Sequence, residues 1–148
     1  MSSLVTQRRK KIVIVGGGSN SWTPNIVKDM LLTKSLAGST FVLYDTKRVA
    51  AELVAAFLSK LDAGLHTGSR FVATDNREKA FDGADYFIIT ISTGGLSAMA
   101  HDLALPEEYG IFHTVGDTCG PGGWRALSAT IPSLRPSRAT STALLQGP

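Results

Sequence analysis

Residues 11–25 read KIVIVGGGSNSWTPN, and this stretch decides the fold. Residues 12–15 are apolar and β-branched, which is typical of a strand buried on both faces. The three glycines that follow permit a tight turn, because no Cβ stands in the way. Thr23 followed by Pro24 predicts a helix start, with a hydroxyl N-cap and a ring whose φ suits the first turn. Strand, glycine loop and helix together predict a phosphate-binding loop, since the loop N–H groups and the positive helix end face the anion.

The loop has the pattern G-x-G-x-x-S, in which Ser21 replaces the third glycine of the dinucleotide-binding fingerprint. A second apolar run, TFVLYD at residues 40–45, ends in Asp45. An acid at this place can accept hydrogen bonds from an adenosine ribose. The spacing exceeds the usual distance of about 20 residues, and residues 36–39 predict the loop that lengthens it. The alternative for the glycine loop alone is a plain strand-to-helix turn. The alternative for Asp45 alone is a strand-end turn residue or a helix cap. The two features together favour dinucleotide binding.

Residues 47–91 alternate between helical and strand patterns. Residues 47–65 carry apolar side chains at helical spacing and predict a helix packed on a sheet. The stripe consists of Val49, Leu53, Ala56, Phe57, Lys60 and Leu61. Residues 70–74 predict a third strand, and DNRE at residues 75–78 is a capping-box pattern for a short helix that ends at Gly83. Residues 86–91 predict a fourth strand, apolar without alternation and therefore buried on both faces.

Strands that alternate with helices predict an α/β fold, a Rossmann-like doubly wound parallel sheet with right-handed crossovers. Such a sheet requires at least one further strand, so we expect it to be incomplete at the C-terminus. Residues 96–105 predict another helix. Ligands of these sheets bind outside the carboxyl ends of the strands, so we expect Thr93, just after the fourth strand, to face a bound cofactor. An ordinary hydroxyl-rich connection is the alternative for Thr93.

Residues 115–123 read VGDTCGPGG, a glycine- and proline-rich segment typical of a structured and functional loop. The loop contains one acid, Asp117, and one thiol, Cys119. The thiol alone is more typical of a small packed apolar group than of a nucleophile or a metal ligand.

Composition excludes several classes of protein. The chain has 148 residues, 43% of them hydrophobic, a mean hydropathy of +0.09 and no apolar run of the about 20 residues that a bilayer span requires. The apolar run after the basic N-terminus is too short for a signal peptide. The single cysteine excludes an internal disulfide and indicates a reducing, cytoplasmic environment. A net charge of +3, partly from RRKK at residues 8–11, is too small and scattered to indicate a nucleic-acid partner.

The last twenty residues, 129–148, are proline-rich, contain no acid and show neither a helical nor a strand period, so their composition predicts loop or disorder. We therefore expect three segments. They are a basic arm at residues 1–10, an NAD-binding domain at residues 11–128 and an aberrant or disordered tail at residues 129–148.

Four stretches together resemble the N-terminal part of glycoside hydrolase family 4, the NAD-dependent glycosidases. They are KIVIVGGGSNSWTP at the start, LYDTKR at residues 43–48, ATDNREKAFDGADYFIITI at residues 73–91 and GDTCGPGG at residues 116–123. The last of them is followed by Ala126-Leu127 and Ile131-Pro132. Many dehydrogenases share the glycine loop, whereas the order of all four stretches is far more specific. The resemblance extends over residues 11–132.

The resemblance implies hydrolysis of O-glycosidic bonds by an unusual route, since the family departs from two-carboxylate hydrolysis. NAD⁺ takes a hydride from C3 of the sugar, a base removes the acidified C2 proton, and the C1 leaving group is eliminated. Water then adds and the hydride returns. A divalent metal, commonly manganese, binds the C2 and C3 oxygens as a Lewis acid. The implied substrate is a small-molecule glycoside, with no membrane or nucleic-acid partner, and family members are often dimers or tetramers, so a homo-oligomer is expected.

Residue by residue, the resemblance implies that the glycine loop holds the pyrophosphate and that Asp45 binds the adenosine ribose. The expected cofactor-binding residues are Gly16, Gly17, Gly18, Ser19, Asn20, Asp45 and Thr93. Asp117 stands where an α-glucosidase subgroup carries a glutamate proposed as a general acid, so it is a candidate catalytic residue; a loop-stabilising cap is the alternative. Ser92 stands where many phospho-glycosidases have an arginine, which argues weakly against a phosphorylated substrate.

The family's metal-binding cysteine and histidine and its C2 base lie beyond the matched stretches. His66, His101 and His113 fall outside those motifs, and Cys119 is not the family's metal cysteine, so no metal ligand is assigned. We therefore expect a truncated or frameshifted member that binds NAD and does not turn over a glycoside alone. The alternatives are an oxidoreductase related to lactate and malate dehydrogenases, and a non-catalytic NAD-binding fragment.

Overall fold

The computed structural model describes residues 9–113 and 120–134. The chain divides into two units, Met1–Ile91 and Ser92–Pro148. The first contains the sheet and the helices between its strands, and the second contains two helices that pack together.

The first unit is a four-stranded parallel sheet with the strand order β3-β2-β1-β4. Its elements in chain order are β1 (Lys11–Val15), α1 (Trp22–Leu31), a short 3-10 turn (Lys34–Leu36), β2 (Thr40–Tyr44), α2 (Arg48–Leu65), β3 (Arg70–Thr74), α3 (Arg77–Phe81) and β4 (Tyr86–Ile89). The chain winds from β1 outward to β3 and then returns to the other side of β1, so a topological switch point lies between β1 and β4. This confirms the predicted α/β, Rossmann-like fold.

One face of the sheet packs against α1 and α2. In the register, Ile12 of β1 lies beside Phe41 of β2, whose ring stacks on Phe71 of β3 at 5.5 Å. The buried side chains of this core are Ile12, Ile14, Val27, Leu31, Phe41, Leu43, Ala51, Val54 and Leu58. Burying one large apolar side chain contributes about 1.5–3 kcal/mol, so this layer is the main source of stability of the first unit.

The opposite face of the sheet is closed by α3. Phe81 of α3 lies edge-to-face against Tyr44 of β2 at 5.7 Å and against Phe87 of β4 at 4.9 Å. The helix ends as predicted, since Gly83 follows it with φ of +60°. Its N-cap is Asn76 and not Asp75 of the predicted capping box, because the Asn76 side chain accepts a hydrogen bond from the Lys79 N–H at 2.9 Å.

The prediction that residues 86–91 form a strand buried on both faces is wrong. The strand ends at Ile89, and Tyr86, Phe87 and Ile89 are all exposed. The reason is position, because β4 is an edge strand of the described sheet and pairs on one side only, with β1.

The predicted buried stripe of α2 is also wrong. Val49, Leu53 and Phe57 point to solvent, while Ala51, Val54 and Leu58 are buried against the sheet. The helix is apolar on two sides, so periodicity alone cannot say which side meets the sheet.

The second unit contains α4 (Gly95–Glu107) and α5 (Gly120–Leu134), which pack against each other. Gly122 of α5 is buried, and a Cβ there would come within 2.7 Å of the His113 ring, so the glycine permits this close packing. Helix α5 continues to Leu134, whereas composition predicted loop from residue 129, because packing against α4 overrides weak local preference. Residues 135–148, the rest of the predicted tail, lie outside the described residues.

No helix in the described part of the chain has both the length and the apolar character that crossing a bilayer demands.

Leu58→Ala is expected to lower the free energy of unfolding by about 2–5 kcal/mol, because it leaves a cavity in the core under α2. Leu53→Ala, the same change on the outer side of the same helix, is expected to cost about 0.5 kcal/mol or less. Urea denaturation followed by circular dichroism at low protein concentration measures both. Equal losses in the two variants would contradict the assignment of the buried face.

Candidate functional site

The glycine loop between β1 and α1 is fixed to the ends of the neighbouring strands. The N–H groups of Gly16 and Gly17 both donate to the carbonyl oxygen of Tyr44, at 2.9 and 3.0 Å. On the other side of β1, the N–H of Thr90 donates to the Val15 carbonyl oxygen at 2.8 Å. The loop therefore starts at the carboxyl ends of the strands and at the switch point, where parallel sheets of this type bind ligands.

Glycine is required here by close backbone contacts. Gly16 has φ of +92°, and a Cβ at this position would lie 2.2 Å from the Thr90 carbonyl oxygen. A Cβ on Gly17 would lie 2.6 Å from the Cα of Leu43. Neither contact is sterically possible, so the loop lies directly against the backbones of β2 and β4 only because both side chains are absent.

The start of α1 differs from the prediction. The helix begins at Trp22, whose N–H donates to the Ser19 hydroxyl at 3.2 Å, and Ser21 at the N-cap position makes no side-chain capping bond. Thr23, predicted as the N-cap, is fully buried inside the first turn, and its hydroxyl donates to the Gly16 carbonyl oxygen at 3.4 Å. Thr23 therefore supports the loop from within the fold.

The role of Thr23 had a signal in the sequence. Thr23, Val27 and Leu31 recur at intervals of four and are the three buried residues of α1. This spacing places the threonine on the core-facing side of a helix that starts before it. The Thr23-Pro24 pair is nevertheless typical of a helix N-cap followed by the first turn. The prediction therefore followed the local pair and not the four-residue spacing.

Asp45 lies directly beside the glycine loop. One carboxylate oxygen accepts a hydrogen bond from the Gly18 N–H at 2.9 Å, and the other accepts from the Lys47 N–H at 2.9 Å. A Cβ on Gly18 would lie 2.8 Å from this carboxylate and 2.9 Å from the Cβ of Ala50. Each ionised carboxylate oxygen has two acceptor positions, so both oxygens can accept a further hydrogen bond from a ligand hydroxyl.

A cation near this turn is paired on the surface of α2. The Arg48 guanidinium donates to Glu52 Oε1 at 2.8 Å, one helical turn further on. This hydrogen bond, together with the negative charge of Glu52, raises the pKa of Arg48 above its ordinary value. The guanidinium therefore stays charged at all working pH values.

The structure brings together six of the predicted site residues, all in the first unit: Gly16, Gly17, Gly18, Ser19, Asn20 and Asp45. Asn20 is exposed at the tip of the loop. Thr93 belongs to the second unit, where its hydroxyl is hydrogen-bonded to the Thr130 hydroxyl at 2.8 Å. Asp117 and Cys119 lie outside the described residues.

The described residues do not fit a metal centre. Within residues 9–113 and 120–134, no group of three or more histidine, cysteine, aspartate or glutamate side chains is placed to hold an ion. His66 ends α2 in the left-handed conformation and His101 is exposed on α4.

The loop does fit a dinucleotide. Glycines packed too closely against the fold for any Cβ, a helix N-terminus behind them and a carboxylate at the end of the second strand are three features of this class of site.

Comparison with known proteins gives a consistent result. Residues 11–135 match the family model described as Family 4 glycosyl hydrolase. The chain is 37% identical over 122 residues to the alpha-galacturonidase of Thermoanaerobacter italicus, covering 82% of this chain and 26% of that protein. It is 36% identical over 126 residues to the alpha-galacturonidase of Bacillus subtilis, and this match covers 83% of this chain and 27% of that protein. The chain thus spans about a quarter of the length of the curated relatives it matches.

A solved structure matches the fold. The 6-phospho-beta glucosidase of Thermotoga maritima, determined with manganese, NAD+ and glucose-6-phosphate, superposes with a TM-score of 0.72. Sequence identity is 28%, and the match covers 85% of this chain and 30% of that one. This neighbour therefore combines the fold with NAD and manganese.

Gly17→Ala is expected to lower the free energy of unfolding by about 1–3 kcal/mol, because the new methyl group would displace β2 from the loop. Gly64→Ala is the matched control. Nothing lies within 4 Å of a Cβ at that position in the last turn of α2, so alanine is expected to stabilise the helix by about 0.5–1 kcal/mol. Urea denaturation measures both, and an unchanged stability of Gly17→Ala would contradict the close approach.

Proposed function

Since the chain belongs to family 4 of the glycosyl hydrolases, we propose that it binds NAD through the glycine loop and Asp45. The corresponding enzymes hydrolyse O-glycosidic bonds, and this chain contributes their nucleotide-binding part, residues 11–128. A single cysteine and the use of NAD favour the cytoplasm as its location.

The hydrogen bond between Asp45 and Gly18 is the observation that carries this proposal. It joins the acid at the end of β2 to the glycine loop at the end of β1, over a sequence separation of 27 residues. The ribose of the adenosine half would donate its hydroxyls to the Asp45 carboxylate. The pyrophosphate would then meet the positive end of α1, since the N–H groups of Gly16, Gly17 and Gly18 already donate within the fold.

The carboxylate also selects between cofactors. An ionised Asp45 would face the 2′-phosphate of NADP at short range, and two negative charges there repel each other. The residue thus favours NAD, whose 2′-hydroxyl can donate a hydrogen bond.

Bound NAD supplies the acceptor for a hydride from the sugar, and the residues of this chain bind and orient it. Gly16, Gly17 and Gly18 let the loop backbone approach the cofactor, while Ser19 and Asn20 supply polar groups at the loop tip. Thr93 is proposed as a further cofactor contact from the loop after β4. Asp117 is proposed as the general acid of the family reaction.

We further propose that the 148-residue chain does not hydrolyse glycosides alone. The support is chemical, because the relative from Thermotoga maritima is described with manganese and the described residues of this chain offer no ligand cluster for it. A Lewis acid bound at the sugar would make the C2 proton more acidic, because it would stabilise the oxyanion that forms when the proton leaves.

Asp45→Ala is expected to weaken NAD⁺ binding at least about tenfold, because it removes a charged acceptor from the ribose. Isothermal titration calorimetry measures the affinity. Asp29→Ala removes an exposed acid from α1 and is expected to leave the affinity unchanged. Asp45→Asn keeps an oxygen for the Gly18 N–H, so it separates loss of the loop from loss of charge, and it is expected to narrow the preference for NAD⁺ over NADP⁺. Equal affinity in all variants would refute the assignment.

A glycosidase assay of the purified chain with NAD⁺ and Mn²⁺ is expected to show no turnover of nitrophenyl glycosides. Alpha-galacturonides are the first substrates to test, since two of the relatives carry that activity in their names. Turnover would refute the proposed inactivity. The proposal of NAD⁺ binding is judged separately, by the affinity that calorimetry measures for the same chain. Net NADH formation from a hydroxy acid would instead indicate chemistry like that of lactate or malate dehydrogenase.

A further inference from the structure

The first residue of α1 is a tryptophan that stands in solvent beside the glycine loop. The side chain of Trp22 is 66% exposed, although tryptophan is on average a highly buried residue. Its backbone is held within the fold, because the Trp22 N–H donates to the Ser19 hydroxyl at 3.2 Å and the next residue, Thr23, is fully buried. A ligand of the loop can therefore meet Trp22 through its indole ring and not through its backbone N–H.

The position of Trp22 on α1 follows from the burial of its neighbour. Successive residues of an α-helix are separated by about 100° around the helix axis. Thr23 faces the sheet, so Trp22 before it and Pro24 after it lie on opposite flanks of the helix. One flank of α1 packs against α2, and the two residues differ accordingly, since Pro24 is half-buried and Trp22 is exposed.

The handedness of the fold decides which flank carries the indole. Helix α1 connects β1 to the parallel strand β2, and such crossovers are right-handed. In a right-handed crossover, the residue after the sheet-facing one lies on the side of the second strand, and the residue before it lies on the opposite side. Strand β4 pairs with β1 on that opposite side. Trp22 therefore lies on the β4 side of the switch point, and Asp45 lies on the β2 side.

These two positions correspond to the two halves of a dinucleotide. A dinucleotide bound to a sheet of this type crosses the switch point at the carboxyl ends of the strands. With its adenosine ribose at Asp45, the cofactor extends past the start of α1 toward β4, so its nicotinamide half comes to the side of Trp22. The nicotinamide ring of NAD⁺ carries a positive charge. The face of a tryptophan ring is the side-chain surface that attracts such a cation most strongly.

We propose that the indole of Trp22 stacks on the nicotinamide ring of bound NAD⁺ and favours the oxidised over the reduced cofactor. The inference rests on the proposed function, since it requires NAD to bind at the glycine loop and Asp45. Stacking restricts the orientation of the nicotinamide, which exchanges the hydride with the sugar. The preference for NAD⁺ arises because the ring of NADH is neutral, so it loses the attraction between a cation and an aromatic face.

A pair of ligands isolates the contact. ADP-ribose is NAD⁺ without its nicotinamide ring, so it retains the groups that would meet Asp45 and the start of α1. Isothermal titration calorimetry of the full chain measures the affinity for both. Trp22→Ala is expected to weaken NAD⁺ binding about three- to tenfold and to leave the affinity for ADP-ribose unchanged. Trp22→Phe keeps an aromatic face and is expected to retain most of the affinity for NAD⁺.

Leu32→Ala is the matched control on the same helix. Leu32 stands at the opposite end of α1 and is 63% exposed, so its truncation removes a similar apolar surface away from the loop. The affinities for NAD⁺ and ADP-ribose are both expected to stay unchanged. Circular dichroism checks that all three variants fold.

NADH provides a second readout that a purely structural role of the indole would not change. Trp22→Ala is expected to weaken the binding of NADH less than that of NAD⁺, so the ratio of the two affinities narrows. A ratio that stays the same in Trp22→Ala would overturn the preference for the oxidised cofactor.

The remaining outcomes separate this inference from the proposed function. If Trp22→Ala weakens NAD⁺ and ADP-ribose equally, the indole supports the loop or the shared half of the ligand, and the stacking proposal fails. An unchanged NAD⁺ affinity in Trp22→Ala also overturns it. In both cases, binding of ADP-ribose by the unchanged chain leaves the proposed nucleotide site in place. A chain that binds neither ligand would refute that site and the role of Trp22 together.

Discussion

The rest of the first unit depends on one close approach, that of the glycine loop to the ends of β2 and β4. A single carbonyl oxygen, that of Tyr44, accepts hydrogen bonds from two successive loop N–H groups, and the loop backbone lies where any Cβ would collide with Thr90 or Leu43. This contact sets where α1 begins, so it sets which residues of α1 reach the core. It also places Gly18 beside Asp45, at the carboxyl ends of the strands, where parallel sheets of this type bind ligands.

The same contact links stability to ligand binding. Asp45 holds the loop through Gly18 and holds its own turn through Lys47, so the carboxylate is oriented before any ligand arrives. A preorganised acceptor loses little entropy when it binds. A ligand that binds only the folded loop also stabilises the fold by mass action. Residues that support the loop from inside, such as Thr23, therefore affect both quantities.

Local chemistry explains what could be predicted. The first three strands, the glycine loop and Asp45 each follow from a few neighbouring residues and lie where the pattern indicated. The errors arose where distant parts of the chain decide. The buried side of α2 depends on the sheet beneath it, and the exposure of β4 depends on which strands pair beside it.

The one-sided pairing of β4 has a consequence for the motions of the sheet. In a parallel strand the amide groups point alternately to its two sides, so only part of the N–H groups of β4 can donate to β1. The remaining amides pair with no strand of the described sheet, so they are expected to exchange their hydrogens for deuterium without opening of the sheet. The amides of β1, enclosed between two strands, exchange only when the sheet itself opens. The rate of amide hydrogen exchange is therefore expected to be low in β1 and β2 and high at the unpaired side of β4.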